Sequence, residues 1–325
     1  MVRAAAASAR LMLAALMLAP LAAGLAQAKT APTGAVALTF DDLPGLSIIP
    51  NEHYVESYNA RLLARLKHHH VPASGFVNEG KFDEMNRAHQ IAILRRWLDA
   101  GMDAGNHTFS HASPNELGAD GYIADISKGE PITKAMLAQH GKTMRWFRHP
   151  YLETGTPAAV KDKIDGWLAA HGYRIAPVTL DADDWEFAEP YDDAVAHDDR
   201  ARARQIQDEY LDHTKQMIAW YKRASEAVFG RPIPLVMLMH DTRLNADSIE
   251  AVLKLLHDAD LRPVSLDTAM ADPAYLTPDA TSGKEGIDWV ERWSDTLHKA
   301  LPWDSYHDVP KDIAEDYDRV DPSGR

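Results

Sequence analysis

Between residue 35 and about residue 270, short apolar runs alternate with longer stretches whose apolar residues recur at helical spacing. The runs Ala35–Phe40, Ala73–Val77, Met102–Asn106, Met144–Arg148, Tyr173–Leu180, Leu235–Met239 and Arg262–Leu266 predict strands. Several are almost continuously hydrophobic, as expected of parallel strands covered on both faces. Helices are predicted between them. One covers Tyr54–His69, with Tyr58, Leu62, Leu63 and Leu66 on one face. A second is marked by Ile91, Leu94 and Leu98, and a third spans Lys161–His171. A long charged helix covers about Asp193–Phe229, and a last one carries Ile249, Val252, Leu253 and Leu256. Gly101, Gly172 and Gly230 stand where helices end and a left-handed residue is favoured.

Strand-then-helix repetition of this kind predicts an α/β protein. Its sheet is a parallel barrel, complete or nearly so, or else an open doubly wound sheet. Periodicity does not separate the two. Both place functional residues at the C-terminal ends of strands, and that shared rule directs attention to those ends. After residue 270 the pattern breaks into a polar and helical tail carrying Trp289, Trp293, Trp303 and Tyr306, aromatics expected to pack on the main body.

The first 28 residues differ from the rest. Arg3 and Arg10 precede an Ala-rich apolar stretch, Leu11–Leu25, which ends at Ala26-Gln27-Ala28. A basic start, a short apolar core and a small-x-small site predict a secretory signal peptide cut near Ala28 and export to the periplasm or the medium. The apolar stretch is short for a membrane span of roughly 20 residues. The expected organisation is a signal peptide over 1–28, a barrel domain over 29–272 and a C-terminal extension over 273–325.

Composition narrows the chemistry. The chain of 325 residues has no cysteine, so export brings no disulfides and any metal must be held by histidines and carboxylates. Such donors suit zinc or a harder divalent ion. The net charge is -14, and loss of Arg3 and Arg10 with the leader would make it -16. Nucleic acid is a poor partner for so acidic a protein.

Five clusters of reactive residues follow predicted strands. Thr39-Phe40-Asp41-Asp42 sets two carboxylates side by side, an arrangement that a bound cation relieves. His107-Thr108-Phe109-Ser110-His111 spaces two histidines four apart, which on a helical turn puts both on one face for a shared metal. Arg148-His149-Pro150-Tyr151 offers a guanidinium that can orient a carboxylate. Asp181-Ala182-Asp183-Asp184-Trp185 and Leu238-Met239-His240-Asp241 add acids and a histidine suited to proton transfer. Each alone also reads as an ordinary turn, loop or buried histidine. Their common position at strand ends makes one site the simpler explanation. His68-His69-His70 close a helix, where cationic histidine suits the dipole, and Asp198–Arg204 reads as a solvated helix face.

Taken in order, TFDD, HTFSH, RHPY, DADDW and LMHD resemble the five motifs of the polysaccharide deacetylase family, the NodB homology domain, over about residues 35–270. The resemblance implies a deformed (β/α)7 barrel with a helical C-terminal tail, and hydrolysis of N- or O-acetyl groups on sugars. It implies that Asp42, His107 and His111 bind a divalent ion, with zinc expected and cobalt, nickel or manganese as substitutes. Asp41 resembles the catalytic base and Arg148 the residue that holds it. Tyr151 resembles the oxyanion donor through its backbone N–H. His240 resembles the general acid and Asp184 its partner, while Trp185 and Leu238 resemble the apolar wall around the acetyl methyl.

Two departures stand out. His149 replaces the first proline of the usual Arg-Pro-Pro, which makes a less rigid loop and a histidine reaching the cleft reasonable expectations. Asp183 and Asp184 together replace a single acid before Trp185, leaving open which of them faces His240. The expected partner is an acetylated carbohydrate. A metal-dependent amidohydrolase acting on a non-sugar amide and a non-catalytic carbohydrate-binding protein are the alternatives. Which acetylated sugar is bound does not follow from motifs, because specificity resides in loops.

Overall fold

The computed structural model describes residues 34–321. The leader and the Ala28 cleavage site lie outside them. No helix among the described residues is long and apolar enough to cross a membrane.

The expected alternation is present. It runs β1 (Ala35–Leu43), α1 (Glu52–His68), β2 (Ala73–Val77), α2 (Arg87–Asp99) and β3 (Asp103–Asn106). Two helices, α3 (Pro114–Lys128) and α4 (Pro131–Gln139), precede β4 (Trp146–Phe147). Then come α5 (Ala158–Ala170), β5 (Arg174–Ile175), α6 (Asp184–Ala196), α7 (Arg200–Phe229), β6 (Leu235–His240), α8 (Arg243–Asp258) and β7 (Arg262–Pro263). A short α9 (Leu266–Ala269), α10 (Trp289–Leu297) and α11 (Lys311–Val320) follow among the described residues.

All strand pairs are parallel, in the order β5-β4-β3-β2-β1-β6, with β7 also on β1. The run from β5 onward links the two outer strands. Its start pairs with β4, and at its end Leu180 bridges Met237 of β6, with the Leu238 N–H donating to the Leu180 carbonyl at 2.9 Å. The sheet therefore curls into a deformed barrel. Pro177, which lacks an N–H, falls in the middle of this run, so pairing there is interrupted and the strand is much shorter than its apolar stretch.

The core follows the pattern of apolar positions. Val36, Leu38 and Phe40 of β1 are fully buried, and Tyr58, Leu62 and Leu66 of α1 pack against the sheet. Gly101, Gly172 and Gly230 all have positive φ after helix ends. Two features differ from expectation. The long charged helix is two helices. Asp198 takes a left-handed φ of 54°, and the Asp199 carboxylate caps α7 by accepting from the N–H groups of Ala201 and Arg202. Helices α3 and α4 are additional. Ser113 caps the first, and buried Glu79 accepts from the Ile132 and Thr133 N–H groups at the start of the second.

The tail packs on the barrel. Trp289 and Trp293 are buried, and Trp303 and Tyr306 lie against Trp220 although Trp303 remains half exposed. Arg292 of α10 is fully buried and donates to the carbonyls of Ile287 and Leu152 at 2.9 Å each and to Thr154 Oγ1 at 3.1 Å. A guanidinium from the tail thus holds the chain just beyond Tyr151.

Candidate active site

The C-terminal ends of the strands converge on one cavity of about 540 Å³. Strand β1 supplies its floor. Its pairing with β2 shifts register between Phe40 and Leu43, and Asp42 has φ 67°. Such an irregularity re-aims side chains. Here both Asp41 and Asp42 reach the cavity, exposed by only 2% and 5%.

His107 and His111 follow β3 on an irregular loop, where a helical turn was expected. Thr108 and His111 both have positive φ, and the Asn106 side chain accepts from the Thr108 N–H at 2.7 Å. The Asn78 amide donates to the His107 carbonyl. The four-residue spacing therefore works through a locked loop. His107 Nε2 and His111 Nε2 lie 3.8 and 3.6 Å from Asp42 Oδ1, and one ligand atom from each of the three residues fits within 4.8 Å. Donors each about 2.1 Å from a common ion lie roughly 3–4 Å apart, so the spacing fits.

Two further observations support a cation at this position. Asp42 Oδ1 is buried without a hydrogen-bond partner among the described residues. His107 Nδ1 is 2.9 Å from the Arg148 carbonyl, which fixes that nitrogen as the protonated one and leaves the Nε2 lone pair free for a cation. Burial pushes both histidines down to about 4, so they are neutral, as ligands must be. Burial alone would raise Asp42, but Lys81, His111 and His107 hold it well below the usual carboxylate range.

Arg148 is fully buried. Its Nη1 donates to Asp41 Oδ2 and Oδ1 at 3.1 and 3.3 Å, Nη2 to Thr39 Oγ1 at 3.0 Å, and Nε to the Ala176 carbonyl at 2.7 Å. Both Nη atoms are tied to β1 and Nε to the residue just past β5, which fixes Asp41 in the cleft. Burial still raises the Asp41 carboxyl, with Arg148 opposing.

His240 closes β6. Asp184 receives the His240 backbone N–H at 2.7 Å, its Nδ1 at 2.9 Å and the Asn245 amide at 2.5 Å. The pairing left open in the sequence thus goes to Asp184, while Asp183 accepts from His213 Nε2 at 2.9 Å. Burial would lower His240, but Asp184 outweighs it and the imidazole is pushed up to about 9.

The apolar side of the cavity includes Leu238 and Trp185, and Tyr151 stands with its ring 4.5 Å from that of His111. His149 borders the same cavity but is wholly buried, stacked on Tyr122 with Nδ1 3.1 Å from the phenol oxygen. It is a core residue, which corrects the expectation of a side chain free to meet substrate. Burial drives its imidazole well below the ordinary value.

Sequence reasoning missed Lys81, Glu189, Asn245, Gly286 and Tyr317. Lys81 Nζ stands 3.5 Å from Asp42 Oδ2. It follows β2 closely, so the strand-end rule could have found it. Gly286 and Tyr317 belong to the tail and carried no motif.

A family model described as polysaccharide deacetylase matches residues 28–176. That span includes Asp41, Asp42, His107, His111, Arg148 and Tyr151, whereas Asp184 and His240 lie beyond it. A peptidoglycan-N-acetylglucosamine deacetylase of Bacillus cereus is 29% identical over 154 residues, 46% of each protein. A chitin deacetylase of Colletotrichum lindemuthianum is 28% identical over 157 residues, 48% of this chain and 55% of its own. The chain thus spans about half the length of these curated relatives. The solved structure of the chitin deacetylase from Colletotrichum lindemuthianum aligns with a TM-score of 0.52 at 20% identity, over 78% of this chain and 93% of that one, and shows the same fold. Over residues 28–176 the chain is thus similar to the polysaccharide deacetylase family.

Proposed function

We propose that the protein is an exported, metal-dependent hydrolase that removes N-acetyl or O-acetyl groups from a polysaccharide or oligosaccharide. The observation that carries this reading is the meeting, in one cleft, of the Asp42, His107 and His111 donors with the Arg148–Asp41 and Asp184–His240 pairs. In this reading residues 1–28 direct export, residues 29–272 carry the catalytic groups, and residues 273–325 complete the cleft.

A divalent ion held by Asp42, His107 and His111, zinc by the nature of the donors, would polarise the acetyl carbonyl and make water a better nucleophile. Asp41 takes the proton from the attacking water, and Arg148 holds its carboxylate in place. The Tyr151 N–H stabilises the oxyanion. His240, protonated at neutral pH, gives its proton to the departing amine or alkoxide. Asp184 occupies Nδ1, so the transferred proton is the one on Nε2. Leu238 and Trp185 exclude water around the acetyl methyl.

The reading predicts that Asp41→Asn retains one bound ion per chain but loses about 10²–10⁴-fold in turnover, the usual contribution of a positioned base. Metal content by elemental analysis and acetate release by a coupled assay measure the two effects. Full activity in that variant would reject the assignment.

A further inference from the structure

The cleft contains a carboxylate that the proposed chemistry does not use. Glu189 of α6 lines the cavity and is only 8% exposed, and its Oε2 is buried without a hydrogen-bond partner among the described residues. A buried acceptor left unpaired costs free energy unless something supplies the missing donor. The neighbourhood describes that donor. Trp185, one turn earlier in α6, and Tyr317 of α11 both line the same cavity, and their rings meet edge to face at 5.0 Å. Tyr317 is itself buried and donates through its hydroxyl to Asp321 at 3.2 Å, which holds the ring in place. A fixed aromatic pair beside a buried carboxyl group fits a sugar ring, with C–H groups for the aromatic faces and hydroxyls for the carboxyl. Burial, with Asp321 and Asp192 nearby, pushes the Glu189 carboxyl up to about 7, so the group can donate as well as accept near neutrality.

We propose that Glu189 and Tyr317, together with Trp185, form a sugar subsite that binds the hydroxyls of the ring neighbouring the acetylated one, which makes α11 of the tail part of the substrate site. The proposal rests on the deacetylase reading and names the kind of substrate that reading lacks. It requires an oligosaccharide with more than one ring in the cleft. Gly286 brings a second stretch of the tail to the cavity, beside Tyr151, so the extension contributes to the cleft at two places.

The test uses the full chain and two probes, tetra-N-acetylchitotetraose and 4-nitrophenyl acetate, which has no second ring. A hydrogen bond to a charged group accounts for about ten-fold or more in binding. Glu189→Ala is therefore expected to raise KM for the tetrasaccharide about ten-fold with little effect on kcat. Its loss in kcat/KM on the aryl acetate should be at least several-fold smaller. Tyr317→Leu should show the same split, and thermal melts check that both variants fold. Equal losses on the two probes, or no change on the tetrasaccharide, would overturn the subsite. If the wild-type protein releases no acetate from either probe, the deacetylase reading is what fails. Calorimetric titration of the tetrasaccharide then decides the subsite separately, with weaker binding by Glu189→Ala supporting it and equal or undetectable binding by both proteins overturning it.

Discussion

Replacing Arg148 by methionine keeps much of the side-chain volume but removes a fully buried cation that makes hydrogen bonds to Asp41, Thr39 and Ala176. Asp41 is 2% exposed and would lose its compensating charge. Breaking a buried ion pair from one side costs about 3–5 kcal/mol. Thr39 keeps a second bond, to the Met237 carbonyl at 2.6 Å, so its share is small, whereas the Ala176 carbonyl loses a 2.7 Å donor. A total near 4 kcal/mol is expected, about a thousand-fold in the folding equilibrium and a large part of the roughly 5–15 kcal/mol typical of a domain. Equilibrium urea unfolding near neutral pH, with chelator present so that metal binding does not contribute, gives the number. Pairing the change with Asp41→Asn completes a cycle. The double variant should recover about 2 kcal/mol relative to the sum of the single ones, because neither partner is then left charged alone. A cost below about 1 kcal/mol, or additivity within about 0.5 kcal/mol, would refute the view that Arg148 compensates Asp41.

Two further predictions concern neighbours of this centre. A Cβ added at Gly286 would sit 1.6 Å from the Tyr151 carbonyl oxygen, a backbone atom that must move. Gly286→Ala should therefore cut kcat by about ten- to a hundred-fold, as an ångström-scale displacement of a catalytic loop does. Metal content should remain intact, and activity within two-fold of wild type would contradict the loop's role. His149 is buried and its folded-state pKa lies well below that of the unfolded chain. Below about pH 6.5 the unfolded state binds the extra proton, so this histidine's contribution is fully present above that pH and is lost on acidification, by up to about 1.4 kcal/mol per pH unit. His149→Phe should show a shallower loss of stability between about pH 6 and 4 in urea titrations. An identical slope in both proteins would argue against this origin.

The site was legible because a parallel barrel gathers strand C-termini on one face, so Asp41, His107, Arg148, Asp184 and His240 could be grouped without knowing any angle. What could not be read was local or tertiary. The Thr108 and His111 backbones are left-handed, so the His107–His111 spacing is satisfied by a loop, which four-residue periodicity cannot distinguish from a helix. Asp183 and Asp184 are adjacent in sequence yet turn to His213 and His240 respectively, because Asp183 itself takes φ 50°. The break after α6 had a visible signal in the Asp199 cap, which a run of charged helix formers on either side obscured. Tyr317 and Gly286 reach the cleft only through the packing of the tail, for which spacing along the chain carries no information.

Acetate release is the most direct test of a metal-dependent deacetylase. The protein, beginning at Lys29, would be incubated with an N-acetylated chitooligosaccharide after chelator treatment, and again after zinc is restored. Release that disappears with chelator and returns with zinc is the predicted result. No release in either state from a folded protein carrying one ion per chain, or release indifferent to chelator once the ion is gone, would contradict it.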